Sequence, residues 1–321
     1  MRRWQALVAL ATAQFLMVLD TSVMNVSISQ LVEDFDTEVT AIQATITIYT
    51  LVMAAFMVTG GKLGDMWGRR RAFTIGLIVY GCGSAVTAVA PTLGVLVIGW
   101  SIIEGLGAAL VLPALAALVA GNYAGKERVV AFGVIGGVSG AGIAVGPLLG
   151  GWVTTYLTWR LVFAGEVVVV LLILAMVRWI RDSPPGRRPS LDWVGGVLSI
   201  AGLALIVLGV LQSGTWGWLS PRNSPITPFG FALTPFVIAA GVVALVLLRD
   251  WESSQESRGK DVLIRFRVFR IPQLRAGLIM LLGQNTVMLG VFFAIPLYLQ
   301  IVQGFDAFQT GLRLLPVSLT M

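Results

Sequence analysis

Histidine is absent from the chain, and cysteine occurs once, at Cys82. Without imidazole no side chain titrates unperturbed near neutral pH, so any proton-handling group has to be a carboxylate. A single cysteine excludes an internal disulfide and leaves the redox compartment open. Charge is also scarce. Only 12% of the 321 residues are charged and 57% are hydrophobic, against about 25% charged in a soluble domain. Half that charge leaves too little polar surface to cover a globule in water. A bilayer removes the difficulty, because lipid-facing surface should be apolar. Polar tails and low-complexity stretches are lacking too, so one membrane domain takes up the whole length. No P-loop, metal-ligand cluster or His-based triad occurs, which argues against an enzyme, a resident cofactor or a metal.

What is present is a series of long apolar runs. A helix needs ~20 mostly apolar residues to cross the hydrocarbon. Nine complete runs lie near 5–31, 41–61, 73–91, 94–120, 129–153, 158–180, 192–213, 229–249 and 275–301. A tenth starts near Thr310, and the sequence stops inside it, at Leu319-Thr320-Met321. On this reading the chain is a fragment, truncated in its second half. Arg2-Arg3 before an apolar run mimics a signal peptide. That run is too long, carries Asp20 and Asn25, and is followed by many more. It reads as the first span, uncleaved.

The net charge of +6 would suggest nucleic acid in a soluble protein. Here the basic residues sit in short clusters between apolar runs and read as topology. Of the 22 lysines and arginines, all but Arg160, Arg222 and Arg313 fall in alternate connections. Lys and Arg concentrate in cytoplasmic loops. The pattern therefore predicts a cytoplasmic N-terminus, a multi-pass protein of the cytoplasmic membrane, and no nucleic-acid partner. The first outer loop carries Glu33, Asp34, Asp36 and Glu38 and no base. The alternating stretch Leu263–Arg275 reads either as a segment along the inner interface, its arginines facing lipid phosphates, or as a solvated basic loop.

Ionisable groups inside the hydrocarbon are costly and mark function by default. Asp20, Glu104 and Glu166 lie well inside spans, and no Lys or Arg lies as deep. Asp20 is followed by Thr21, Ser22 and Asn25. An apolar medium disfavours a charged carboxylate, so such an acid can take a proton from one side and release it to the other. When ionised it attracts a cation. The alternative is a protonated acid hydrogen-bonded to a neighbouring helix as structure. Glu104 and Glu166 are each either a second proton site or a helix contact.

Two glycine patterns accompany the acids. The connection Gly61-Lys-Leu-Gly-Asp65-Met-Trp-Gly68-Arg69-Arg70-Arg71 joins two spans tightly. Its glycines permit close backbone approach and positive φ, Asp65 is placed to cap a helix N-terminus, and the arginines hold the loop inside. On the fifth span, Gly142, Gly146 and Gly150 line one face at i, i+4 and i+8, with Pro147 and Gly151 beside them. A small-residue face lets helices approach closely, and a proline there bends the helix. Together they hint at a moving gate. A short echo, Asp20-Thr-Ser-Val-Met against Gln284-Asn-Thr-Val-Met, is the only trace of the internal repeats common in transporters.

Taken together these segments resemble the major facilitator superfamily. The Gly61–Arg71 loop is similar to its signature between spans two and three. The Gly142–Gly151 segment resembles the motif of its drug antiporters. Leu19-Asp20-Thr21 through Asn25-Val26 resembles the first span of the fourteen-span drug–proton antiporter group (EmrB/QacA-type). The resemblance implies an all-α major facilitator bundle, nine complete spans and part of a tenth out of fourteen. It divides the chain into an N-terminal six-helix bundle (1–182), two additional linking spans (183–250) and the start of a C-terminal bundle (251–321). By the same resemblance Asp20 is proton- or substrate-binding; Asn25, in the same motif, and Glu104, an acid deep in its span, stand with it as candidate proton- or substrate-binding residues. Gly61, Asp65, Gly68, Arg69 and Arg70 form a gating loop, and Gly142, Gly146, Pro147, Gly150 and Gly151 a kinked antiporter-motif helix. The implied activity is proton-coupled export of hydrophobic or cationic drugs by alternating access, in a monomer, with a metabolite, sugar or organic acid as the alternative cargo and a non-transporting fragment as the second alternative. One departure stands out. The family's fourth-span motif starts with a buried Arg and has Gln-Gly three positions on; this chain has Ser101-Ile-Ile-Glu104-Gly105. Either Asp20 and Glu104 share a proton or the coupling differs from the family pattern.

Overall fold

In lipid no water is present to satisfy backbone N–H and C=O groups, so an apolar run of this length folds as a helix with all its bonds internal. The computed structural model describes residues 2–182, 190, 192–304 and 313, and among them the chain is helical throughout its apolar runs. The helices are α1 (Arg2–Val26), α2 (Ile28–Asp34), α3 (Val39–Trp67), α4 (Arg69–Ala88), α5 (Leu93–Leu96), α6 (Gly105–Asn122), α7 (Gly125–Tyr156), α8 (Arg160–Met176), α9 (Trp193–Trp216), α10 (Thr234–Ser257) and α11 (Pro272–Ile301). A π-helical turn, Val97–Glu104, joins α5 to α6 without a break, so the three form one span.

Among the described residues eight spans are long and apolar enough to cross a membrane: α1, α3, α4, α5–α6, α7, α8, α9 and α10. They match the first eight apolar runs. The expectation of nine complete spans is corrected to that extent. The ninth run is helical, as α11, but several of its side chains between Met288 and Gln300 lie outside the described residues, and it is not among the eight. Most of the tenth run, and Arg187 and Arg188, also lie outside the described residues.

Burial sorts the spans into inner and outer ones. More than half of the apolar window of α1 and of α5–α6 is buried (56% each), and 44% of α4; the others range from 22 to 28%. The outer spans leave many apolar side chains half-buried or exposed, a surface suited to lipid. The inner three carry most of the principal core, including Leu10, Phe73, Leu77, Val111 and Leu118. A second cluster, with Leu31, Ile42, Tyr49, Trp100 and Trp159, fills the end next to α2.

Glycine sets the closest approaches. A Cβ at Gly107 on α6 would stand 2.6 Å from the Tyr80 backbone nitrogen on α4, and one at Gly83 on α4 would stand 2.7 Å from the Glu104 nitrogen. The stripe on α7 meets α1: Gly142 faces Val18, Gly146 faces Ser22, and Gly150 faces Val23. The close-packing role expected of that face is thus observed, and its partner is the helix that carries Asp20. The helix runs on through Pro147 to Tyr156. Beyond the first six spans, α9 and α10 pack as a hairpin and α9 leans on α3. Asp192 caps α9, accepting from Gly195 N at 3.0 Å, and also accepts from Trp251 Nε1 on α10 at 2.8 Å.

Candidate functional site

The three acids singled out in the sequence converge. Asp20 on α1, Glu104 at the end of the π turn and Glu166 on α8 are 1%, 0% and 2% exposed. One carboxylate oxygen of each lies within 4.8 Å of the others. Two full negative charges 4.8 Å apart repel by about 3.5 kcal/mol at an effective dielectric of about 20. Among the described residues no lysine or arginine pairs with any of them; the ion pairs lie elsewhere, at Arg69–Asp65 and Arg160–Asp34. Three ionised carboxylates therefore cannot coexist here without protons or a cation.

Each acid has a distinct environment. Asp20 accepts from Trp100 Nε1 through both oxygens, at 3.0 and 3.2 Å. The Trp100 indole stacks flat on Tyr49 of α3, with centroids 4.6 Å apart and planes 4° from parallel, which fixes the direction of its N–H. Glu104 and Glu166 both meet Ser84 Oγ on α4, each through Oε2 at 3.0 Å. Among the described residues no donor makes a well-formed hydrogen bond to their other oxygens, and the buried Tyr80 hydroxyl adjoins Asp20 and Glu104.

The π turn explains how one short stretch serves two neighbours. A π turn rotates successive side chains less per residue than an α-helix and is frequent at functional sites. Here it turns Trp100 to Asp20, Ser101 to α3 and Glu104 to Ser84. Ser101, standing where the resemblance places an Arg, is fully buried and donates to Thr45 O at 2.8 Å. It takes no part in the acid cluster. The donor to Asp20 is its neighbour Trp100.

Asn25, expected beside Asp20, does not join the cluster. It is exposed and donates to Thr21 O on its own helix at 2.8 Å, because five residues separate it from Asp20 and it falls on a different helix face.

The loop expectations need one correction. Gly68 links α3 and α4 with φ 94°, a conformation for which glycine is the natural choice. Asp65, however, does not cap α4. It is exposed and pairs with Arg69 at 3.6 Å across one helical turn. The cap comes from Asp182, just past the end of α8, whose Oδ1 accepts from Arg70 N at 3.2 Å while Oδ2 lies against Gly68. Arg69 also reaches Ala117 O on α6 at 3.3 Å, and Gly61 faces Pro113 on α6. Gly61, Gly68, Arg69 and Arg70 thus tie the α3–α4 turn to α6 and to the chain just past α8. At the opposite end Arg160 pairs with Asp34 at 2.9 Å, donates to Ala90 O, and covers the Trp159 ring.

Glu166, which the sequence leaves open between a proton site and a helix contact, joins the cluster, and Ser84, Tyr80, Trp100 and Asp182 carry no signal of their own in the sequence. Each is an ordinary residue in a span or loop until the helices bring it to an acid or a helix end.

A bundle of long apolar helices closed around buried, unpaired acids defines a membrane carrier. Residues 10–321 match the Major Facilitator Superfamily, and the chain belongs to that family, which sets it among membrane transporters rather than enzymes. It is 34% identical to a puromycin resistance protein of Streptomyces alboniger, over 99% of this chain and 60% of that protein. To a probable actinorhodin transporter of Streptomyces coelicolor it is 31% identical, over 99% and 54%. The chain thus spans little more than half the length of these relatives. A peptide transporter of the POT type shares the fold with a TM-score of 0.53, at 17% identity over 66% of this chain and 52% of that one.

Proposed function

We propose that the protein exports hydrophobic or cationic antibiotics across the cytoplasmic membrane in exchange for protons. The observation that carries this reading is Asp20: a carboxylate 1% exposed, in a span, with an indole N–H instead of a cation as its partner. Ionised, such a group binds a cationic substrate or a proton, and the two compete. Protonation from outside releases the substrate; loss of the proton inside restores the site. The name of one relative, a puromycin resistance protein, supports the substrate class. So does an apolar groove of about 380 Å³ between α1 and α7, lined by Trp4, Leu7, Val8, Phe15 and Val134, on the same helix as Asp20.

In this reading the chain has its N-terminus in the cytoplasm, works as a monomer, and belongs with the fourteen-span drug–proton antiporter group. Residues 1–182 form the first six-helix bundle, 183–250 the linking pair, and 251–321 the start of the second bundle. The pairing of α9 with α10 beside α3 supports that division. The substrate path runs between the two bundles near the midplane. The α3–α4 turn, with Asp65, Arg69 and Arg70, acts as the inner gate, and the Gly142–Gly151 face of α7 lets α1 shift against it.

A second reading keeps the fold and the protons but changes the cargo to a metabolite made by the cell itself, and the actinorhodin relative favours it. The test is efflux of a fluorescent lipophilic cation from drug-sensitive cells, for the wild type and Asp20→Asn, with and without an uncoupler. Uncoupler-sensitive efflux that disappears in Asp20→Asn supports drug–proton antiport. A wild type that never lowers dye accumulation removes the drug reading for that class of dye and leaves metabolite export.

A further inference from the structure

Ser84 has one hydroxyl hydrogen and three oxygens around it. Tyr80 O lies at 3.2 Å, Glu104 Oε2 at 3.0 Å and Glu166 Oε2 at 3.0 Å. A serine hydroxyl donates once and accepts through its lone pairs. If it donates to one glutamate, the other carboxyl oxygen sits 3.0 Å from a lone pair, fully buried, unless that carboxyl carries a proton and donates it. If it donates to Tyr80 O, both glutamates need a proton. Every arrangement that satisfies Ser84 therefore places at least one proton on the pair.

We propose that Glu104 and Glu166 share a proton through Ser84, forming a second proton site beside Asp20. The contact with Ser84 does not favour one glutamate over the other, since the two distances are equal. Transfer between them balances simply. The Glu104 O–H bond breaks as its proton passes to Ser84 Oγ, while the Ser84 O–H bond breaks and its hydrogen passes to Glu166 Oε2. One proton moves from α6's leading turn to α8, and Ser84 ends as a hydroxyl again. The Tyr80 hydroxyl, buried beside Asp20 and Glu104, is placed to carry the link to the first site.

The groups facing the pair come from every element packed on it: Asp20 from α1, Tyr49 from α3, Tyr80 and Ser84 from α4, and Trp100 from the π turn. All are acids or neutral donors, so a carboxylate here is met by a hydrogen bond, a proton or a bound cation, and by no basic side chain among the described residues. The use of the shared proton in a transport cycle rests on the proton-coupled reading above; its presence does not.

The test is infrared absorption of the purified protein in lipid bilayers, read in the C=O stretch of protonated carboxyls at a pH where exposed acids are ionised. The wild type shows the band, and Asp20→Asn retains it. In Glu104→Gln, made in the Asp20→Asn background so that only the pair can give the band, the amide itself donates to Ser84, Ser84 donates to Glu166, every partner of Ser84 is satisfied without a proton and the band is lost. Glu166→Gln does the same by symmetry. Loss in both variants is the signature of sharing. Loss in only one overturns it, because the proton then belongs to a single residue. Absence of the band from the wild type also overturns it, as it would if a sodium ion occupied the cluster, and that outcome needs no variant to fold. The two proposals separate cleanly. A missing band with efflux lost in Asp20→Asn removes only the shared proton, whereas a shared band with efflux intact in Asp20→Asn removes only the role of Asp20.

Discussion

Replacing Asp182 by Ala should destabilise the protein by about 1–2 kcal/mol, while replacing Asp65 should cost at most about 0.5. The first turn of any helix leaves N–H groups without intrahelical partners, and in α4 the Arg70 N–H is met by Asp182 Oδ1 at 3.2 Å. Losing a side-chain cap costs about 0.5–2 kcal/mol. The negative charge at the helix N-terminus adds about 0.3–1 kcal/mol, and the two overlap because one carboxylate supplies both. Asp65 has only the exposed pair with Arg69 at 3.6 Å one turn on, worth about 0.3–0.5 kcal/mol. Asp182→Asn keeps a capping oxygen and should fall between them. Unfolding of the purified protein in detergent, compared across the three variants, gives the order, and a shift of 1–2 kcal/mol is a 5- to 30-fold change in the folded-to-unfolded ratio. Added salt should shrink the charge part and leave the cap. If Asp65→Ala proves as costly as Asp182→Ala, the cap is misassigned and the loop acid holds the helix end after all.

Trp100→Phe keeps the ring on Tyr49 but removes the N–H from Asp20. A hydrogen bond to a charged acceptor contributes about 1.5–3 kcal/mol, and its loss disfavours the ionised carboxylate. The pH midpoint of uncoupler-sensitive efflux should therefore move up by about one to two units; an unmoved midpoint would show that the indole does not tune the site. Gly83→Ala places a methyl 2.7 Å from both the Glu104 nitrogen and Gly99 O. Overpacking of this kind costs about 1–3 kcal/mol. It should lower the unfolding temperature, whereas Gly133→Ala, with open space around it, should not.

The amino-acid sequence alone determined that the chain is a helical membrane bundle, because twenty apolar residues in lipid have no other way to satisfy their backbone. It also determined which side chains are chemically unusual, since Asp20, Glu104 and Glu166 stand out in apolar runs whatever their neighbours, and the period of Gly142, Gly146 and Gly150 places them on one face of a helix. It could not determine which elements meet. That the three acids converge follows from α1, α4, α5–α6 and α8 packing together through glycines such as Gly83 and Gly107, and helix pairing depends on contacts between residues tens of positions apart. The partners were hidden for the same reason. Trp100, Ser84 and Tyr80 are common span residues whose polar atoms matter only where another helix places an acid against them, and the π turn that aims Trp100 and Glu104 in different directions alters the rotation per residue that a sequence pattern assumes. Asp65 and Asp182 make the point most directly: both are acids near the start of α4, one adjacent in sequence and one 112 residues beyond Arg70, and only the return of α8 to that end of the bundle decides which of them holds the helix.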